Sequence, residues 1–320
     1  MSIVGVGTQG GKQGEKVGNI SDEFNGFYDA LIKSHMPCDI IDEESVRSED
    51  IFKYDLIVLP NVACTGKDFN GRLREYVKQG GNVIASFETS ICDENGKRGE
   101  SLGLEDLFGL RILRTPIKPY PHFYFFRQDN KYPYVFSDIT ADMLPAPLIS
   151  MEAELAGAEI ISRYSVKFTG WDGSEILPSE FPAITVHEYG KGRAVFLAGV
   201  FGEQYWTYKQ PDIRILLKNL FCMLSRQDVS ADNLPISVEL THRENSERNL
   251  EMISLINYSG GLSRPFEMIQ TINDVKIFVN TAHNSAKALL SDTKIAVEKH
   301  ENTLILTLQK LDLFETIVLE

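Results

Sequence analysis

Little in this sequence is basic, few of its residues are thiols, and no stretch stays apolar for long. Lysine and arginine number 32 against 45 for aspartate and glutamate, a formal charge of −13. A nucleic-acid surface needs clustered positive charge to displace counterions, so that class of partner is not expected. A membrane span needs ~18 apolar residues in a row; Pro60 interrupts one candidate run and Lys218 another. The opening Met1-Ser2-Ile3-Val4-Gly5 has no basic segment followed by an apolar one, so no secretory leader is read there. Four cysteines, Cys38, Cys64, Cys92 and Cys222, are scattered without Cys-x-x-Cys or metal-ligand spacing. They point to a reduced, cytoplasmic protein with incidental thiols and to neither a metal nor a cofactor.

What is present is an ordinary globular composition, 43% hydrophobic and 24% charged over 320 residues. Disorder, collagen and coiled coil are excluded, and the length predicts two domains. Residues 1–228 read as an α/β domain. A short strand over Ser2 to Val6 precedes a helix from Asp22 to Ser34, whose Phe24, Phe27, Tyr28, Leu31 and Ile32 form one stripe. Cys38 to Ile41 reads as the next strand, Asp55 to Leu59 as one buried on both faces. Phe69, Leu73, Tyr76 and Val77 mark a second helix ended by Gly80-Gly81, before another buried strand from Asn82 to Phe87. This β-α-β-α-β order requires crossovers, hence a mostly parallel sheet with helices on both faces.

Between about 110 and 180 the pattern breaks. Six prolines lie from Pro116 to Pro147, and aromatics crowd Tyr120 to Phe126. The stretch reads as a long insertion packed on the sheet; its rings are core, a subunit contact or a ligand platform. Ala183 to Glu188 and Arg193 to Ala198 then form strands around a Tyr189-Gly-Lys-Gly192 turn. A helix follows Pro211, which suits a first turn that needs no backbone donor. Asp228 to Pro235 reads as a polar linker. Short alternating runs beyond it, from Ile236 to Leu319, predict a small β-sandwich over 235–320.

Two motifs are of chemical interest. Gly5-Val6-Gly7-Thr8-Gln9-Gly10 fits G-x-G-x-x-G, but a dinucleotide site needs the helix to open at the glycines. Here about ten polar residues intervene, so a plain glycine loop is the better reading. The second motif is the set of strand ends. Ligands of open parallel sheets bind outside the carboxyl ends of the strands, which brings in Asn61, Glu88, Thr89 and Ser90, with Glu203, Tyr205 and Trp206 after a later strand. Carboxylates, amides, hydroxyls and rings are what a sugar requires. The competing expectation is that Glu88 and Glu203 bond to neighbouring backbone amides and shape loops.

The segments Asp55-Leu-Ile-Val-Leu-Pro-Asn-Val-Ala-Cys64 and Gln79-Gly-Gly-Asn-Val-Ile-Ala-Ser-Phe-Glu-Thr-Ser90 carry a resemblance. So do Asp93-Glu-Asn-Gly-Lys-Arg98, Gly103 to Gly109, Tyr189 to Arg193, Tyr205-Trp206 and Asp312 to Leu319. In that order they resemble the β-galactosidase trimerisation domain, on a class I glutamine amidotransferase-like fold, as in glycosidases similar to α-L-fucosidase. The resemblance implies a flavodoxin-like layout, assembly into a dimer or trimer, and a carbohydrate setting. It also implies departures. An amidotransferase has a cysteine on the turn where this chain has Phe87-Glu88, and a histidine near Gly202-Glu203-Gln204. Cys64 lies one strand earlier with no base, and a thiol without one is a poor nucleophile. The glycosidases' catalytic β/α barrel has no counterpart among these residues, so the chain is expected to be an excised part or a stand-alone copy. The expected function is a non-catalytic assembly and substrate-shaping module of a glycoside-hydrolase-like protein, with no catalytic residue assigned. The alternatives are a stand-alone hydrolase using Glu88 or Glu203, and a carbohydrate-binding module.

Overall fold

The structure is a computed structural model that describes residues 1–4, 19–47, 49–117, 124–126, 131–165, 177–261, 268–291 and 295–320. The glycine-rich 5–10 motif lies outside them. The chain divides into two units, Met1–Asp29 with Asp39–Ser225, and Ala30–Cys38 with Arg226–Glu320.

Up to Ser225 the elements run β1 Ser2–Val4, α1 Ile20–Lys33, β2 Asp39–Ile41, α2 Glu43–Arg47, β3 Leu56–Leu59, α3 Lys67–Gln79 and β4 Asn82–Ser86. They continue with α4 Glu105–Phe108, β5 Leu110–Ile117, β6 Tyr124–Phe126, β7 Met143–Pro145, β8 Ser150–Leu155 and β9 Glu159–Ser165. β10 Pro178–Tyr189, β11 Gly192–Leu197, α5 Phe201–Tyr208 and α6 Pro211–Leu224 complete the series. The main sheet has the order β2-β1-β3-β4-β11-β10-β9-β6-β7. Its first five strands pair in parallel and the rest antiparallel.

The parallel strands form where branched apolar residues run without alternation. All four side chains of β3 are fully buried, as a strand covered on both faces requires. α3 buries Phe69, Leu73, Tyr76 and Val77, its 3.6-residue stripe. It stops at Gly80, whose φ of 123° only glycine adopts readily and whose N–H bonds Val77 O at 3.0 Å. At Gly81 a Cβ would lie 2.2 Å from the Tyr76 ring, so no larger residue fits.

Three expectations need correction. Strand β4 ends at Ser86, and Phe87 belongs to the turn that follows. The 110–180 insertion does more than cover the sheet. β9, β6 and β7 extend it edge to edge, while β5 and β8 pair as a separate two-stranded sheet. The polar linker Asp228 to Pro235 contains a strand. Val229–Asp232 pairs antiparallel with a later strand, and Val229 is buried.

The second unit carries β12 Val229–Asp232, β13 Val238–Asn245, β14 Leu250–Asn257, β15 Ile272–Asn280, β16 Ala286–Ala288, β17 Ile295–His300, β18 Thr303–Leu311 and β19 Phe314–Leu319. They make two four-stranded sheets, β12-β15-β18-β17 and β13-β14-β19-β16, with every pair antiparallel. Alternate residues of both sheets, among them Leu240, Leu255, Ile277, Leu306 and Ile317, share one core. Two sheets closed on one core make the sandwich that the short alternating runs predict. No helix among the described residues is long and apolar enough to cross a membrane.

Candidate functional site

The carboxyl ends of β3 and β4 turn sharply. Asn61, Phe87 and Ser90 have φ of 48°, 49° and 69°, in the left-handed region. Asparagine tolerates that region; for a bulky residue such as Phe87 it is strained and persists only when its surroundings hold it. The Phe87 N–H donates to Leu197 O at 2.9 Å and its ring is fully buried. Asn61 ties the two turns together. Its N–H donates to Ser86 Oγ at 3.0 Å, and its Oδ1 accepts the Glu88 N–H at 3.2 Å. The Thr89 hydroxyl lies 2.8 Å from Ser86 O and 3.2 Å from Leu59 O. The Ser90 N–H donates to Val62 O at 2.9 Å, and its buried hydroxyl has no partner among the described residues.

The Glu88 carboxylate is 4% exposed, and both its oxygens are taken. Arg98 grips it with two nitrogens, Nη1 on Oε2 at 2.7 Å and Nη2 on Oε1. Thr115 Oγ1 adds a third donor to Oε1 at 2.7 Å. Arg98 reaches this point because residue 98 bridges to Cys92 and the Gly99 N–H donates to Ile91 O at 2.7 Å. The fork-on-carboxylate geometry makes a strong, directional pair.

Glu203 sits in the first turn of α5 and is held through Glu23. The Glu203 N–H donates to Glu23 Oε2 at 2.7 Å, and Glu203 Oε2 accepts the Asn19 N–H at 2.8 Å. Burial raises the Glu203 carboxyl above its ordinary range. Glu23 is fully buried, and burial raises it to about 7, against the opposing pull of the Glu203 amide, the Ser86 hydroxyl and the Gly202 amide. α1 and α5 meet backbone to backbone here. A Cβ on Gly26 would lie 1.8 Å from Gly202 O, and one on Gly202 would lie 2.3 Å from Glu23 O.

Asn61, Glu88 and Thr89 are therefore one hydrogen-bonded cluster around Ser86, while Glu203 is held separately through Glu23. Tyr205 and Trp206 are held by other contacts. Tyr205 is buried, and burial, then Asp29, pushes its phenol up. Lys209 Nζ lies 3.5 Å from the centre of the Trp206 ring and 3.2 Å from Asp29 Oδ2, so one indole face is occupied by an ammonium group. Of the aromatic stretch Tyr120 to Phe126, residues 120–123 lie outside the described ones. Phe125 is fully buried and packs edge-on against Phe201 at 5.2 Å.

Glu23 and Arg98 were not foreseen. For Glu23 a signal existed: it precedes Phe27 by four residues and Ala30 by seven, on a face that is fully buried. Cys64 is buried and its backbone pairs with that of Cys92, whose thiol burial and the neighbouring Cys64 push up to about 11. Such a thiol remains protonated at neutral pH.

The molecule is thus of the class that joins an α/β domain with a parallel central sheet to an antiparallel β-sandwich. Residues 8–210 match the family model described as the β-galactosidase trimerisation domain, and the chain belongs to that family. It is 26% identical over 260 residues to β-galactosidase BgaB of Geobacillus, an alignment covering 79% of this chain and 33% of that protein. It is 24% identical over 183 residues to the exo-β-D-glucosaminidase of Pyrococcus horikoshii, covering 57% and 20%. The chain spans about a third or less of the length of these curated relatives. Among solved structures, α-L-fucosidase isoenzyme 2 from Paenibacillus thiaminolyticus has a TM-score of 0.71 at 15% identity, covering 100% of this chain and 48% of that one. A β-galactosidase from Bacillus circulans sp. alkalophilus has a TM-score of 0.63 at 17% identity, covering 93% and 39%. These likenesses show the shared fold.

Proposed function

We propose that the chain is a non-catalytic assembly and substrate-shaping module of a glycoside-hydrolase-like protein in carbohydrate metabolism, acting as a homo-oligomer. The observation that carries this reading is the trimerisation-domain match over residues 8–210. Its name favours a trimer over a dimer. We take residues 1–228 and 235–320 as the two domains. The parallel strand order β2-β1-β3-β4-β11 supports a flavodoxin-like layout, and with it the amidotransferase-like comparison. On that comparison the nucleophile's turn keeps a left-handed backbone but carries the buried Phe87, a side chain with no nucleophilic atom. The Glu88 carboxylate, closed by Arg98 and Thr115, is poorly placed to accept a proton from a substrate. Reduced Cys64 and Cys92 accord with a cytoplasmic setting.

Sugar binding at Asn61, Glu88, Thr89, Ser90, Glu203, Tyr205 and Trp206 is the second reading. The unpartnered Ser90 hydroxyl favours it; the Lys209 cap on Trp206 opposes it.

Light scattering on the 320-residue chain at micromolar concentration tests the assembly reading, with a trimer expected. A monomer throughout the accessible range overturns it. Turnover of an aryl galactoside by the same sample, abolished in Glu88→Gln or Glu203→Gln, would replace it with the hydrolase.

A further inference from the structure

The core-facing side of β13 and β14 does not stay apolar to its end. Along β13 the alternate residues Val238 and Leu240 are buried in the sandwich core, and the same parity continues as His242 and Glu244. On β14 the core residues Leu255 and Ile253 are followed in the same parity by Glu251. The register sets Glu244 directly opposite Glu251, and His242 one pair further in, opposite Ile253. One imidazole and two carboxylates therefore share a face, with their ligand atoms all within 4.8 Å of one another.

Two like charges opposite each other across a strand pair repel. Glu251 is also held in place from outside. Glu251 Oε1 accepts a hydrogen bond from Thr281 Oγ1 at 2.6 Å and lies 3.6 Å from His283 Nε2. His283 is itself nine-tenths buried, and its N–H donates to Thr281 Oγ1 at 3.2 Å. Lys299 Nζ fixes the loop that brings both residues, bonding His283 O and Asn284 Oδ1 at 2.7 Å each. The other oxygen of Glu251 lies 3.1 Å from His242 Nε2. A carboxylate oriented by a hydroxyl, beside an imidazole and a second carboxylate, is the arrangement by which proteins hold a metal and its outer shell.

We propose that His242 Nε2, Glu244 and Glu251 form a binding site for a borderline divalent cation of the zinc type. One nitrogen and two carboxylate donors suit zinc, whereas calcium and magnesium take all-oxygen sets of six or more ligands. Two carboxylates neutralise the ion's charge. Bonds of about 2.0–2.2 Å put tetrahedral donors roughly 3.3 Å apart, so the side chains must close by up to about 1.5 Å. The exposed Glu244 can do so by its own rotation. Three protein donors leave a fourth position to water. The sequence spacing that announces the site is His242-x-Glu244 on a strand, completed by Glu251 after a short hairpin.

The test is titration of ZnCl2 into the chelator-treated 320-residue chain, followed by calorimetry and by the melting temperature. One equivalent is expected to bind and to raise the melting temperature, undisturbed by millimolar magnesium. Glu244→Gln, at an exposed position that the fold does not need, should weaken binding at least about tenfold, and His242→Gln likewise. Thr281→Val, which only frees the carboxylate, should weaken it roughly tenfold. His300→Gln, at an exposed histidine 3.9 Å from Glu298, should leave it unchanged. With Co2+ as the probe, a visible absorption band should appear and be lost in His242→Gln. The proposal is overturned if zinc does not bind, if Glu244→Gln binds it as tightly as the parent, or if His300→Gln abolishes binding.

Discussion

Two polar clusters in this molecule use the same residue types and end in opposite states. At the ends of β3 and β4, Glu88 has three donors on its two oxygens, and Glu23 Oε2 accepts the amide of Glu203. At the end of the sandwich, the exposed Glu244 faces Glu251 across a strand pair, and although Thr281 and His242 bond Glu251, nothing comparable encloses Glu244 among the described residues. A buried carboxylate whose lone pairs are all occupied is fastening. Carboxylates set against one another on a partly open face are a receptor for positive charge. The difference lies in the partners, and each substitution below acts on the partners.

The largest effect is expected at Arg98. Its removal, as Arg98→Met, leaves the Glu88 carboxylate buried and opposed only by Thr115, and breaking a buried pair from that side costs about 3–5 kcal/mol. Glu88→Gln is milder, at about 1–2 kcal/mol, because the Arg98 side chain is 34% exposed and can rehydrate. Trp206 lies in α5 of the first unit, so its fluorescence in urea follows that unit. Equal losses for the two variants, or a greater loss for Glu88→Gln, would show that the pair does not fasten the turns.

Glu23 comes next, through pH. Its carboxyl is raised from 4.5 to about 7 in the folded state, so the folded protein keeps a proton that the unfolded chain has released. The resulting stabilisation is complete below about pH 4.5 and is lost as pH rises through about 7. The shift corresponds to about 3 kcal/mol. The raised Glu203 carboxyl adds in the same direction. Glu23→Gln holds the neutral shape at every pH. It should match the parent near pH 5 and exceed it in stability near pH 8. A pH dependence in the variant as steep as the parent's would remove Glu23 as its source.

How legible each region was in the sequence follows from the range of its interactions. β3, β4 and α3 could be read because unbroken branched runs and a 3.6-residue stripe are local patterns. The sandwich could be read because period-2 alternation is local too. β9, β6 and β7 were misplaced because joining a sheet edge is settled by partners far away in the chain. Val229–Asp232 was too short and too polar to stand out from a linker. The strand-end cluster was half visible: Asn61, Glu88 and Thr89 follow from topology. Arg98 closes on Glu88 through a turn with no signature, and Glu23 hid inside an apolar stripe. His242, Glu244 and Glu251 were in plain spacing, but only the hairpin register of β13 and β14 puts the two carboxylates opposite each other.

The smallest effect has the sign that separates the two clusters most sharply. In metal-free buffer, Glu244→Gln removes one of two carboxylates that lie opposite each other, and such like-charge pairs destabilise by roughly 0.2–1 kcal/mol. The substitution should therefore stabilise the sandwich, whereas the same change at Glu88 destabilises the first unit. Because Glu244 is exposed, the gain should shrink as salt shortens the screening length to ~3 Å at 1 M. Hydrogen exchange in β14, which pairs with β13 on one side and β19 on the other, reports on the sandwich where tryptophan fluorescence does not. Slower exchange over Leu250–Asn257 at low salt, converging with the parent at high salt, is the expected result. Faster exchange in the variant would mean that Glu244 is already satisfied by His242 within the apo protein. The sandwich end would then be as closed as the strand ends, and the contrast between the two clusters would fall.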